Sequence, residues 1–353
     1  MLRRNALTLI ALVVGASAAC NDESPDPAGP SSAPKVQAAT AVTYTIKKLN
    51  TLGGLQSRAF AINNNTQIVG TSQNKAGKFR AFIWQSGVMK DLGGLAGVTS
   101  EAADINDAGT VVGYSTTLSG AERAVRWQNG TIKNLGTLGG TNSRATAINT
   151  TGVIVGWSET KSGFPHAFVY KNGVMTDIGT LGGTESHAWG INDVGKVVGS
   201  SRTASGKLHA FAWTNGTFQD LGDNGTTFGE AIAINNGRII GNVGAPPDAE
   251  GSDREIITPF IIVNGVLKTF GTRRHESHAR DINANGIVVG GDEDDRFDDP
   301  AAAWVRQTDG TVQELPELQP GFASAWGINR VGAIVGYSTA SDGWPKATLW
   351  RAQ

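Results

Sequence analysis

The sequence predicts an all-β protein, a seven-bladed β-propeller with four antiparallel strands per blade. An Ile-Asn pair recurs seven times, and each copy holds four short runs of strand-forming residues. The pairs begin at residues 62, 105, 148, 191, 234, 282 and 328, in steps of 43, 43, 43, 43, 48 and 46. A fixed period of this size, with four short strands per copy, is typical of a propeller. Gly, at 47 of 353 residues, is also frequent enough for many turns.

The fourth copy shows the four strands, here called a to d. They are SHAWGIN (186–192), KVVGSS (196–201), LHAFAW (208–213) and TFQDLG (217–222). Each run is rich in β-branched or aromatic residues and is bounded by turn residues, whereas no window keeps a helical period. Asn-Gly pairs such as Asn172-Gly173 follow strand c. They favour the two-residue turns that join antiparallel strands, so strands c and d should form a hairpin.

The last copy stops after its strand c, at residues 347–350. A run at residues 44–49 precedes the first copy and aligns with strand d of the others. We therefore expect residues 43–49 to pair with residues 345–350, so that the N-terminal strand closes the last blade. We also expect the b–c loops to be longest in blades five and six.

The N-terminus resembles a bacterial lipoprotein signal over residues 1–19. Arg3 and Arg4 precede a short apolar stretch, and small residues precede Cys20, as in a secretory signal. Cys20 is the only cysteine, and its position indicates lipidation. Ser17 stands where lipoboxes usually carry Leu, so ordinary cleavage with a free thiol at Cys20 stays open.

Residues 20–41 are rich in Pro, Ser and Ala, a composition typical of a flexible tether. Residues 42–353 then form the propeller. The protein is expected to be exported to the bacterial cell envelope (periplasm, outer membrane or cell surface), with membrane contact through the lipid anchor alone. We expect a monomer. A balance of 30 basic and 31 acidic residues argues against a nucleic-acid partner.

The tripeptides His166-Ala167-Phe168 and His209-Ala210-Phe211 lie among LGTLGG, VVG and NG motifs. With these motifs the chain resembles the HAF-repeat family of extracellular bacterial proteins over nearly its whole mature length. The first two copies carry Arg in place of His, and the last three lose the tripeptide. The resemblance implies an exported repeat protein and brings no established activity.

One position differs from copy to copy, four residues before each Ile of Ile-Asn, and we call its seven members the ring residues. They are Arg58, Glu101, Arg144, His187, Glu230, His278 and Ser324. Constant positions build a repeat scaffold, so these side chains are better candidates for function, and they should surround the channel mouth. Arg58, Arg144, His187 and His278 are candidate ligand-binding residues. His187, His278, Glu101 and Glu230 are the alternative, catalytic set, because His and Glu suit acid–base chemistry. A neutral, salt-bridged lining is the third possibility.

Loops at the same face add further candidates. Arg273, Arg274, His275 and Glu276 precede the sixth copy and have no counterpart elsewhere, which favours ligand or partner binding there. Asp292, Asp294 and Asp295 lie in an acidic b–c loop that could hold Ca²⁺. Solvated acidic loops are common, so no metal or other cofactor is expected.

The sequence favours a binding module for an unidentified protein or glycan. A polysaccharide hydrolase or lyase at the channel mouth is the alternative, and a purely structural surface protein is the second alternative. Ring residues with strongly shifted pKa values in a deep pocket would favour the enzyme. A channel blocked by Trp189 and Trp326 would favour the other two.

Overall fold

A computed structural model describes residues 42–245, 256–271, 276–292 and 301–353. Every regular secondary-structure element in these ranges is a β-strand, so the predicted all-β class is confirmed. Among the same residues no helix is long and apolar enough to cross a membrane. The predicted signal, Cys20 and the tether lie outside the described residues. So do residues 246–255 and 293–300, where the longest b–c loops were expected.

The strands follow the repeat in chain order. In the N-terminal segment and the first three copies they are β1 (Tyr44–Lys48), β2 (Gly53–Ile62), β3 (Ile68–Asn74), β4 (Phe79–Gln85), β5 (Val88–Asp91), β6 (Ser100–Ile105), β7 (Val111–Thr116), β8 (Glu122–Gln128), β9 (Thr131–Gly136), β10 (Gly139–Ile148), β11 (Ile154–Thr160), β12 (Pro165–Lys171) and β13 (Val174–Gly179). In the last four copies they are β14 (Gly182–Ile191), β15 (Val197–Thr203), β16 (Leu208–Thr214), β17 (Thr217–Gly222), β18 (Phe228–Asn235), β19 (Arg238–Ala245), β20 (Ile256–Val263), β21 (Val266–Thr269), β22 (Ser277–Ile282), β23 (Val288–Asp292), β24 (Ala303–Arg306), β25 (Val312–Glu314), β26 (Ala323–Ile328), β27 (Ile334–Thr339) and β28 (Pro345–Ala352).

Strands a, b, c and d of a copy pair antiparallel in chain order. The described residues form four-stranded sheets of this kind, except that copies four and five are joined into one eight-stranded sheet. The junction is a single parallel bridge between Leu208 and Phe228. The c–d turns contain Asn with positive φ, for example Asn172 at 53° before Gly173 at 86°, which agrees with the predicted hairpins.

The N-terminal strand β1 lies beside the last strand, β28, as predicted. They pair antiparallel from Tyr44 opposite Ala352 to Lys48 opposite Thr348. Leu49, only 2% exposed, belongs to the same core cluster as Leu349 of strand β28. This pairing completes a four-stranded sheet for the last copy.

In most copies the Asn at the end of strand a donates a hydrogen bond to the next copy. Asn106 Oδ1 accepts a hydrogen bond from the Thr110 N–H at 3.0 Å, which caps the local turn. Its Nδ2 donates to the Asn149 carbonyl of the next copy at 3.1 Å. Asn329 of the last copy donates in the same way to the Asn63 carbonyl of the first, at 3.2 Å. The first and last copies are therefore joined by the same bond as internal neighbours.

Strand a carries a one-residue β-bulge in all seven copies, which shifts its register against strand b. The residues at the bulge are Phe60, Ala103, Thr146, Trp189, Ile232, Arg280 and Trp326. A Cβ on Gly156 of strand b would overlap the carbonyl oxygen of Arg144, and the equivalent glycines have the same neighbour. This close approach explains why strand b carries Gly at this position in every copy. A β-bulge redirects side chains, and here it changes the direction of one side chain on strand a of every copy.

Candidate functional site

The a strands, which are the inner strands of the copies, enclose two cavities. One, of about 630 Å³, lies where these strands end in Ile-Asn, and the other, of about 610 Å³, lies nearer to where they start. All seven bulge residues line the second cavity, here called the mouth cavity. The ring residues Arg58, Glu101 and Arg144 line it as well. The bulge therefore gives every copy a side chain at this cavity, and its identity differs from copy to copy.

Each ring residue lies opposite a second variable position, the residue directly after the strand-b glycine. Its members are Thr71, Tyr114, Trp157, Ser200, Asn242, Gly291 and Tyr337. This position was not predicted from the sequence because it lies next to a constant glycine. Variation at a fixed offset from that glycine was the signal that could have found it.

A ring residue also contacts the second variable position of the preceding copy. Arg144 lies 4.0 Å above the ring of Tyr114, and Arg58 of the first copy lies 5.1 Å from the ring of Tyr337 of the last. Stacking of Arg on aromatic rings fixes the plane of the guanidinium. Two variable positions therefore meet at each of these boundaries between copies.

His187 is held between two indoles. Its ring makes an edge contact with Trp157 at 5.6 Å and stacks on Trp189 at 5.5 Å with an angle of 6° between planes. Burial lowers the pKa of His187, against a smaller effect of Glu185. A neutral imidazole in an aromatic stack is best suited to packing at this site.

Arg144 is the best-anchored charge of the mouth cavity. Its Nε and one terminal nitrogen each lie 2.5 Å from a carboxylate oxygen of Glu122. Burial lowers the pKa of Arg144, but the hydrogen bond to Glu122 and the nearby acidic groups raise it overall. Arg144 thus keeps its charge and its orientation.

Glu101 lies in the cavity wall between the two arginines. Burial raises the pKa of Glu101, while the charges of Arg144 and Arg58 lower it and that of Glu122 raises it. Burial, followed by the charge of Glu101, raises the pKa of Tyr114 to about 12. Tyr114 therefore stays protonated at neutral pH.

The other predicted ring residues have different surroundings. Burial raises the pKa of Glu230, and a hydrogen bond with Ser200 and the charge of Arg280 oppose this shift. His278 lies opposite Gly291 in the strand register. Ser324 is only 2% exposed. The structure therefore brings three ring residues together at the mouth cavity, and not all seven.

Two cavity residues, Asp104 and Asp281, were not predicted. Each precedes an Ile-Asn pair, and each carboxylate accepts two backbone N–H bonds, one from the next residue and one from the neighbouring copy. Burial raises the pKa of Asp281 to about 7, against these hydrogen bonds, and the charge of Asp104 adds to the rise. Burial also raises the pKa of Asp104. Both carboxyl groups therefore connect neighbouring copies.

Trp189 and Trp326 form part of the cavity wall. Trp326 packs edge-on against Phe60 at 5.2 Å, and Arg280 lies 4.2 Å from its ring. A space of about 610 Å³ remains between these walls. The two indoles narrow the cavity and leave room for a small ligand.

Several predicted loop residues, Arg273, Arg274, His275, Asp294 and Asp295, lie outside the described residues. Glu276 forms an isolated bridge with Ile257, and Asp292 is buried at the end of strand β23. Where the structure describes the chain, no group of three or more His, Cys, Asp or Glu side chains is arranged to hold a metal ion.

The histidines of the HAF tripeptides lie on strand c and pair with strand d. His166 Nδ1 is 2.8 Å from Asp177, and His209 Nδ1 is 3.0 Å from Asp220. Arg80 takes the place of His in the first copy and lies 3.4 Å from Asp91. These contacts give the first residue of the tripeptide a role in joining two strands.

No protein-family model and no curated protein matches this chain. Solved structures do. The propeller domain of the trilobed protease from Pyrococcus furiosus, described as having an open velcro topology, has a TM-score of 0.52 at 11% identity, over 84% of this chain and 94% of that one. The acylaminoacyl peptidase of Pyrococcus horikoshii has a TM-score of 0.55 at 12% identity, over 85% of this chain and 52% of that one.

TolB from Acinetobacter baumannii matches with a TM-score of 0.43 at 13% identity, over 69% of this chain and 64% of that one. The chain thus spans less than two thirds of TolB and about half of the acylaminoacyl peptidase. At such identities the likeness defines the fold alone. The chain is a β-propeller protein, and its function has to be argued from its own residues.

Proposed function

We propose that this chain is an exported, seven-bladed propeller that binds a small ligand in the mouth cavity. The observation that carries this proposal is the cavity of about 610 Å³ lined by Arg58, Glu101 and Arg144 together with aromatic side chains. Ligand pockets usually measure about 300–1,000 Å³ and combine apolar walls with a few polar groups. Aromatic faces with polar groups at their edges suit a saccharide or another small polar molecule.

The count of seven blades is supported by the seven repeat copies. Ring closure is supported by the pairing of β1 with β28 and by the Asn329–Asn63 hydrogen bond between the last copy and the first. A ring closed in this way leaves no gap between the first and last blades, and its remaining strand edges are short.

Export and anchoring to the bacterial cell envelope are supported by the signal-like residues 1–19 and by Cys20. The resemblance to the HAF-repeat family supports the same location. Here the propeller is a receptor domain held near a membrane by a lipid and a tether.

A glycan array and a thermal-shift screen with the purified full chain test the binding role. We expect at least one saccharide to bind, and Trp157→Ala to weaken it by about tenfold, since stacking contacts are lost. Trp344→Ala is the matched control, because Trp344 is 41% exposed and is absent from the residues that line the mouth cavity. Binding that survives Trp157→Ala and is lost in Trp344→Ala would place the site elsewhere.

A polysaccharide hydrolase is the second candidate, and Glu101 is the observation that favours it. A carboxyl group with a raised pKa in a cavity has the property required of a general acid. An assay for new reducing ends on the saccharides that bind tests this role. Product formation that disappears in Glu101→Gln would favour the enzyme over the binding module.

A further inference from the structure

We infer that the ligand of the mouth cavity is an acidic saccharide whose carboxylate pairs with Arg58. This inference rests on the proposed function and adds the chemical class of the ligand. It depends on the surroundings of Arg58 and on the contacts of the acidic groups near it.

Arg58 is a cation of the mouth cavity with no carboxylate in ion-pair contact among the described residues. It is exposed and lines the mouth cavity, and its guanidinium lies over the ring of Tyr337. Within the described residues no carboxylate lies within ion-pair distance of Arg58. The stacked guanidinium keeps all its N–H groups for a ligand, and its planar shape suits two parallel bonds to a carboxylate.

The acidic groups around the cavity make their contacts with groups other than Arg58. Glu122 is bound to Arg144. Asp104 and Asp281 each accept two backbone N–H bonds. Glu101 makes no hydrogen bond or ion pair among the described residues, and burial raises its pKa. Glu101 acts on Arg58 through its charge but forms no ion pair with it, so the guanidinium N–H groups of Arg58 stay available to a ligand.

The remaining walls suit a sugar ring better than a flat or purely ionic ligand. Glu101 offers oxygen atoms to sugar hydroxyls. Arg144 uses Nε and one terminal nitrogen for Glu122, so its other terminal nitrogen keeps donors for a ligand. Tyr114 and Trp157 contribute aromatic surface to the same wall. A uronic acid presents a carboxylate, several hydroxyls and an apolar ring face, and so can use each of these groups.

The test is a titration of the full chain with a panel of uronic-acid trisaccharides and the methyl esters of the same compounds. Esterification removes the negative charge and keeps the sugar. We expect one acid to bind at least about tenfold more tightly than its ester, which corresponds to about 1.4 kcal/mol. Arg58→Gln should abolish this preference. Arg330→Gln is the control, because Arg330 lines the cavity at the other end of the inner strands.

Three results would overturn the inference. Equal affinity for acid and ester would mean that the carboxylate is not recognised, while the binding role would stand. A sulfated trisaccharide that binds as tightly as the best uronate would show that the site does not select a carboxylate. Absence of binding by the whole uronate panel would also refute the inference, and the proposed function would fail with it only if the glycan array were blank as well.

Discussion

The guanidinium of Arg144 lies 4.0 Å above the ring of Tyr114, a residue of the preceding copy of the repeat. The same relation joins the ends of the chain, where Arg58 of the first copy lies over Tyr337 of the last. Two variable positions thus meet at each of these boundaries. The scaffold around them, with its Asn ties, bulges and glycines, is nearly constant, so the chemistry of the mouth cavity can change without a change of fold.

The closing strand is expected to be essential for stability. Deletion of residues 42–49 removes strand β1 and Leu49, which belongs to a core cluster shared with Trp84. A single change, Leu49→Ala, should cost about 2–5 kcal/mol of unfolding free energy, because it leaves a cavity in the core. Leu55→Ala is the control, since Leu55 is 52% exposed. Urea unfolding measures both, and equal midpoints for the two variants would contradict the role of β1.

The strand-b glycine is expected to be irreplaceable. Gly156→Ala places a methyl group against the Arg144 carbonyl oxygen, and such overpacking costs about 1–3 kcal/mol or more. Gly271→Ala is the matched control, because no atom of the described residues lies within 4 Å of a Cβ there. Thermal unfolding compares them. A Gly156→Ala protein as stable as the Gly271→Ala protein would mean that the bulge can relax.

The pH dependence of stability should reflect Asp281. The pKa of Asp281 is about 7 in the folded protein and about 3.9 in an unfolded chain. Between these values the folded state holds a proton that the unfolded state has lost. The free energy of unfolding should therefore fall as pH rises from about 4 to about 7, and level off above that. Asp281→Asn should flatten this slope, whereas Asp107→Asn, in an exposed turn, should keep it. Identical pH profiles for wild type and Asp281→Asn would contradict the assignment.

The histidines of the HAF tripeptide should be structural. His166 joins strand c to Asp177 of strand d near the surface, so His166→Ala should cost at most about 1 kcal/mol and leave ligand binding unchanged. His187→Ala removes a ring that stacks on Trp189 and contacts Trp157 edge-on, and should weaken saccharide binding by disordering the cavity wall. Titration of both variants with the same saccharide gives the comparison. Loss of binding in His166→Ala alone would reverse these roles.

Lipidation at Cys20 has a direct test by fractionation. Cys20→Ser should move the exported protein from the membrane fraction to the soluble fraction, because the only thiol that could carry the lipid is removed. Ser17→Leu restores the usual lipobox residue and should retain or increase membrane association. Equal solubility of wild type and Cys20→Ser after export would refute the anchor.

Much of the architecture could be predicted from the sequence because it depends on short-range patterns. The Ile-Asn period, the alternation within each run and the Asn-Gly turns determine the strands and hairpins. The pairing of residues 44–48 with the chain end followed from a missing strand in the last copy. The strand-end Asn caps a turn only four residues long, as Asn106 does with the Thr110 N–H.

The arrangement of the cavity was decided by tertiary structure. Arg144 and Tyr114 are separated by a whole hairpin along the chain and meet only when neighbouring copies pack. The bulge that directs Trp189, Arg280 and Trp326 to the cavity depends on how strand a pairs with strand b, and the one-letter pattern does not reveal a register shift. Asp104 and Asp281 were missed for the same reason, since their hydrogen-bond partners lie in the next copy. Periodicity is a local property of the chain, whereas contacts between copies depend on packing in three dimensions.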